Sequence, residues 1–123
     1  MVYPVDQEAF EEMVADALDS VPDDLAARME NLVITVADRA TPAQARNHRG
    51  TLLGLYEGVA LTRRTPRNYN GAMPDRITIF RLPHCRLAND EAALRDRVRV
   101  TVLHEVGHHF GMSDARLHEL GWA

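Results

Sequence analysis

The chain has 123 residues, 46% apolar and 26% charged, and a formal charge of −4. That length suits one domain over residues 1–123, with a thin core drawing on three Phe, three Tyr and one Trp. The acidic balance speaks against a general nucleic-acid or anionic-membrane binder. All fourteen basic residues are Arg, which excludes lysine chemistry, and a lone Cys85 excludes a disulfide framework or a cysteine-rich zinc finger. The first residues show no basic n-region and no apolar h-region, and no run approaches the roughly eighteen apolar residues of a membrane span. A cytoplasmic location is the expectation.

In chain order, Asp6 suits an N-cap, and Phe10, Met13, Val14, Ala17 and Leu18 recur at helical spacing, with Glu8, Glu11 and Glu12 in the first turns. Residues 20–22 break this helix, and Pro22 fits the first turn of a second, short one through Leu25 and Met29. The β-branched run 32–36 predicts a strand buried on both faces. Residues 40–49, with Pro42, read as a loop. Residues 52–62, interrupted by Gly54 and Gly58, predict a bent strand or hairpin, and 63–74 an exposed loop. Alternation over 76–82 predicts a strand with Ile77 and Ile79 on one side and Thr78 and Phe80 on the other. Asn89 or Asp90 caps the longest helix, from Glu91 to about Phe110, and Gly111 suits its stop. A last helical turn is expected over 114–120. The order ααβββα predicts an α+β domain, a small sheet packed against helices.

The long helix ends in His104-Glu105-Val106-Gly107-His108, an H-E-x-x-H pattern. Residues four apart on a helix differ by about 40° in direction and one turn in height, so both imidazoles can reach one metal ion. Glu105 projects about 100° further round, beside the place a metal-activated water would occupy. Zinc held by two His and a third ligand, with one open position, is the catalytic arrangement. The pattern continues to Gly111 and Asp114. Gly111 can take a positive φ and turn the chain back, which lets Asp114 approach from a third direction. Asp114 also suits the N-cap of the last turn, in which case His118 or Glu119 would be the third ligand.

The run 104–114 resembles the H-E-x-x-H-x-x-G-x-x-H/D signature of metzincin-type zincins. The wider stretch 103–122, together with 52–62, is similar to small bacterial zincin-like metallopeptidase domains. The resemblance implies a minimal zincin-like fold, Zn2+ as cofactor, His104, His108 and Asp114 as metal ligands, and Glu105 as catalytic base in peptide hydrolysis. It also implies that the strand 77–80 forms the upper rim of the cleft, with an extended peptide added along its edge. One departure is visible. The nine residues after Asp114 contain no Met for a methionine turn, and Met112 lies before Asp114.

The remaining candidates read as structural. His109 falls on the arc of Val98, Val102 and Val106 and is expected to be packed. His84 and Cys85 read as a loop His and a buried thiol. Arg63, Arg64 and Arg67 read as a solvated loop. Arg95, Arg97 and Arg99 are expected to pair with Glu91 and Asp96 or to face water. The implied partner is a peptide or protein substrate, with no nucleic acid and no membrane. Two rival readings are an endoribonuclease-like metal hydrolase, which Glu105, Asp114 and the negative charge oppose, and a non-enzymatic metal-binding interaction module.

Overall fold

The computed structural model describes residues 3–69 and 73–123. Helix α1 (Gln7–Asp19) starts at Asp6, whose carboxylate accepts a hydrogen bond from the Ala9 amide at 2.8 Å. There follow α2 (Asp23–Ala26), β1 (Leu32–Ala37), α3 (Pro42–Ala45), β2 (Gly54–Glu57), a 3₁₀ turn at Leu61–Arg63, α4 (Pro66–Tyr69) and β3 (Asp75–Phe80). Helices α5 (Arg81–Leu87), α6 (Glu91–His109) and α7 (Asp114–Glu119) complete the α+β chain. Among the described residues, no helix is long and apolar enough to cross a membrane.

The strands form one mixed sheet in the order β1-β3-β2. β1 runs parallel to β3, with Leu32 opposite Asp75 and Ala37 opposite Phe80. β2 runs antiparallel to β3, with Gly54 opposite Ile79 and Glu57 opposite Arg76. This order corrects two expectations. The strand buried on both faces is β3, where Ile77, Thr78, Ile79 and Phe80 are all buried, whereas β1 is an edge strand with Val33 40% exposed. Its β-branched composition expresses strand propensity and does not report position in the sheet. Both edges of β3 are already paired, so it cannot accept a further strand, and the free edge beside the long helix belongs to β2. Of the bent strand or hairpin expected at 52–62, the structure has a single strand, β2, followed by the 3₁₀ turn.

The sheet carries α6, and α1 packs on α6. Phe10, Met13 and Val14 of α1 meet Leu94, Val98 and Val102 of α6 in one apolar cluster that includes Ile77 and Ile79. Three short helices lie where loops or strand were expected. α3 is held by a capping box, in which the Gln44 amide donates to Thr41 Oγ1 and the Thr41 amide to Gln44 Oε1, at 3.1 and 3.0 Å. α4 occupies part of the predicted loop 63–74, of which residues 70–72 lie outside the described residues. α5 begins where the strand was expected to continue. Its Pro83 falls in the first turn, where a missing N–H breaks no helical bond.

Candidate metal centre

The geometry of the centre starts with how α6 stops. Phe110 is its C-cap, and Gly111 follows at φ +81°, the left-handed region. The Gly111 amide donates to the His108 carbonyl and the Met112 amide to the Gly107 carbonyl, both at 2.9 Å. That pair of bonds is a Schellman motif, and it reverses the chain within three residues. Ser113 then caps α7, its hydroxyl accepting from the Arg116 amide at 3.1 Å. Asp114 is therefore the first residue of α7 and not its cap, and its carboxylate is left to face α6.

The structure brings His104, His108 and Asp114 together. One donor atom from each lies within 4.8 Å of the other two. The two Nε2 atoms are 3.1 Å apart, and His108 Nε2 is 3.9 Å from Asp114 Oδ1. Ligands about 2.0–2.1 Å from a tetrahedral zinc stand about 3.3 Å from one another, so the 3.1 and 3.9 Å separations need shifts of well under 1 Å, and closing the third, between His104 and Asp114, needs at most about 1.5 Å. The donors are two imidazole nitrogens and a carboxylate oxygen, a set that suits zinc. Burial and the neighbouring His104 lower the His108 pKa against the pull of Asp114, which favours the neutral, ligating form. His118 and Glu119 are outside this group. Both are exposed, and Glu119 pairs with Arg116 at 3.5 Å.

A second Schellman motif closes α7 and acts back on the centre. Gly121, at φ +76°, donates to the His118 carbonyl at 3.1 Å, and the Trp122 amide donates to Leu117 at 2.8 Å. The turn delivers the Trp122 carbonyl to His104 Nδ1 at 2.9 Å. Only an N–H can meet a carbonyl, so Nδ1 carries the proton and Nε2 keeps its lone pair toward His108 and Asp114. The last helical turn expected from the sequence ends at residue 120, and no role for Trp122 at the centre was expected. Its signal was Gly121, placed after the last turn just as Gly111 is placed after α6.

Glu105 sits with both histidines on the wall of a cleft of about 850 Å³ between α6 and β2. Glu105 is 7% exposed. Burial raises its pKa to about 7, with Asp114 adding to the rise and the Tyr56 amide, which donates to it, opposing. A bound cation would pull that value back down. The close approach of β2 depends on Gly54, where a Cβ would meet Thr101 Cγ2 at 2.8 Å and Glu105 Cγ at 3.2 Å.

A profile of the zincin-like metallopeptidase family matches residues 29–122, some three-quarters of the chain. The chain belongs to that family. No curated protein shows a significant match to it.

Behind the centre, the zincin-like domain buries a polar network that the sequence reading did not find. Asp75 is 1% exposed and accepts from the Tyr56 hydroxyl, the Val59 amide at 3.2 Å, Arg64 at 3.0 Å and His109 Nδ1 at 3.0 Å. Burial alone would raise the Asp75 pKa, but these four donors outweigh it and the carboxyl is held below its usual range. His109 is fully buried, as expected. Arg64 is not in a solvated loop. Its side chain is 10% exposed, bonded to Asp75 and to the Val59 carbonyl. A Cβ at Gly58 would collide with the Asp75 carboxylate. The network ties the end of α6 to β3 and to the chain after β2, which fixes the cleft floor against its wall. The four donors lie 11 to 34 positions from Asp75 along the chain and meet it only through the fold, so spacing in the sequence carried no sign of them.

His84 is likewise not in a loop. It lies on α5, fully buried, with Nδ1 donating to the Phe80 carbonyl at 2.7 Å and Nε2 facing Thr101 Oγ1 at 2.8 Å. Burial pushes its pKa down to about 4, against the Phe80 carbonyl and with the help of Arg97. Cys85 is buried, as expected.

Proposed function

We propose that this zincin-like domain is a zinc-dependent peptidase with Glu105 as its general base. The observation that carries the reading is the 3.1 Å approach of the His104 and His108 Nε2 atoms on the cleft wall that also holds Glu105. His104, His108 and Asp114 would hold the ion. Zinc, when bound, supplies Lewis acidity and makes water more acidic at neutral pH. Glu105 takes the proton of the attacking water and returns it to the leaving amine, so the carboxylate ends as it began. The Tyr56 amide holds Glu105 in place. An extended peptide would lie along the free edge of β2, bonding main chain to main chain beside α6.

The test is Glu105→Gln in the full chain, assayed against a quenched fluorescent peptide mixture. The expected result is hydrolysis by the zinc-loaded wild type, a loss of at least about a hundredfold in the variant, and close to one zinc bound in both. Equal activity in the two proteins, or no hydrolysis by the loaded wild type, overturns the reading.

A further inference from the structure

The charges of this protein are segregated. Residues 39–67, which include β2 and its flanks, carry Arg39, Arg46, Arg49, Arg63, Arg64 and Arg67 against a single acidic residue, Glu57. The rest of the chain has eight Arg against seventeen acidic residues. Arg64 pairs with Asp75 at 3.0 Å within the fold; the other five are exposed, and of these Arg63 has an interaction partner of its own. The strand whose free edge borders the cleft is therefore flanked by the basic part of an acidic protein.

The opposite wall repeats the sign. On α6, Arg95 pairs with Asp16 and Glu91, and Arg99 with Asp96. Arg97 lies between them, and among the described residues it has no such carboxylate partner. It lines the cleft on the face shared with Thr101, His104 and His108. At 1.5 Å per residue, the seven residues from Arg97 to His104 span about 10.5 Å. An extended peptide covers that distance in about three residues. Leu53, Leu55, Val59 and Val100 give the same cleft an apolar part to its lining.

We propose that the cleft selects extended peptides bearing an acidic side chain about three residues from the bond over His104 and His108, with Arg97 as the specificity-determining residue. This rests on the peptide-binding reading of the same cleft. The apolar wall takes the intervening side chains, and the basic flanks of β2 attract the acidic chain over longer range. A nucleic acid would also be drawn to the arginines. The β2 edge and the apolar wall favour a peptide, because they offer strand pairing and side-chain pockets and no aromatic stacking platform.

The test measures binding apart from turnover. Full-length Glu105→Gln protein, supplied with zinc, is titrated into fluorescein-labelled, capped Ala/Leu peptides carrying Glu, Gln or Lys three residues to either side of the central bond. At low salt the Glu peptide should bind about fivefold more tightly than the Gln peptide, with the Lys peptide weakest, and on one side only. Adding Arg97→Ala should abolish the preference, and Arg97→Glu should invert it toward Lys. Arg99→Ala removes the same charge away from the cleft and should leave the preference intact. Equal binding of the Glu and Gln peptides, survival of the preference in Arg97→Ala, or no binding of any peptide overturns the proposal. So does a single-stranded RNA heptamer that displaces the Glu peptide tenfold more effectively in an Arg97-dependent way. An Arg97-dependent preference in a protein whose wild type hydrolyses nothing would sustain this proposal and defeat the catalytic one. Hydrolysis without charge preference would do the reverse.

Discussion

Gly107, inside the H-E-x-x-H segment, offers a test in which two known effects oppose one another. In an exposed helix, Gly→Ala stabilises by about 1 kcal/mol, because Ala loses less backbone freedom on folding. Here a Cβ would fall deep inside the envelope of Leu117 Cδ2 and lie 3.6 Å from Met112 Sδ. Leu117 is fully buried, so its side chain has little room to give way. Overpacking of this kind costs about 1–3 kcal/mol. Gly107→Ala should therefore lower stability by up to about 2 kcal/mol, or up to roughly 8 °C in Tm for a chain of this size. Displacing Leu117 also moves α7, so the variant should bind zinc less tightly although residue 107 offers no ligand. The decisive comparison is made in a Leu117→Ala background. That change alone should cost about 2–5 kcal/mol by opening a cavity. With Cδ2 gone the added methyl fills space, and Gly107→Ala should now stabilise by about 1 kcal/mol. Urea unfolding followed by circular dichroism at pH 7 gives all four stabilities. A shift of the same sign in both backgrounds, or a stabilised single variant, would refute the packing argument.

The ligand order can be read by zinc competition against a chelator. Asp114→Ala should weaken binding by at least about tenfold, and His118→Ala and Glu119→Ala should be nearly silent, since neither residue joins the donor group. Removing residues 121–123 takes away the carbonyl that orients His104, and should also cost about tenfold or more in zinc affinity while all three donors remain. His84 makes stability depend on pH. Its folded pKa of about 4 lies below the unfolded value near 6.5, so between these values the unfolded chain binds the extra proton. Stability contributed by neutral His84 is full above pH 6.5 and declines as pH falls toward 4, by about 3 kcal/mol in all. Unfolding midpoints at pH 7 and 4.5 should differ by much less in His84→Gln than in the wild type.

Local chemistry made α1, α6, the Gly111 stop and the H-E-x-x-H face legible along the chain. Caps, helical periodicity and a glycine at a left-handed position act within a few residues, and such signals survive in one dimension. The direction in which Asp114 approaches is of the same kind, since a six-residue turn dictates it. The sheet order was not legible, because β1 and β3 have similar composition and only pairing partners separated in sequence decide which strand is central. For the same reason the free edge passed from β3 to β2. Trp122 meets His104 across 18 residues, and Asp75 gathers Tyr56, Arg64 and His109 from three separate segments. A carboxylate and an arginine look like surface residues until the fold removes water from around both. Sequence alone thus named His104, His108 and Asp114 as a candidate donor set, which the fold brings together. Tertiary structure decided how they are oriented, through contacts whose energy depends on burial that no local pattern encodes.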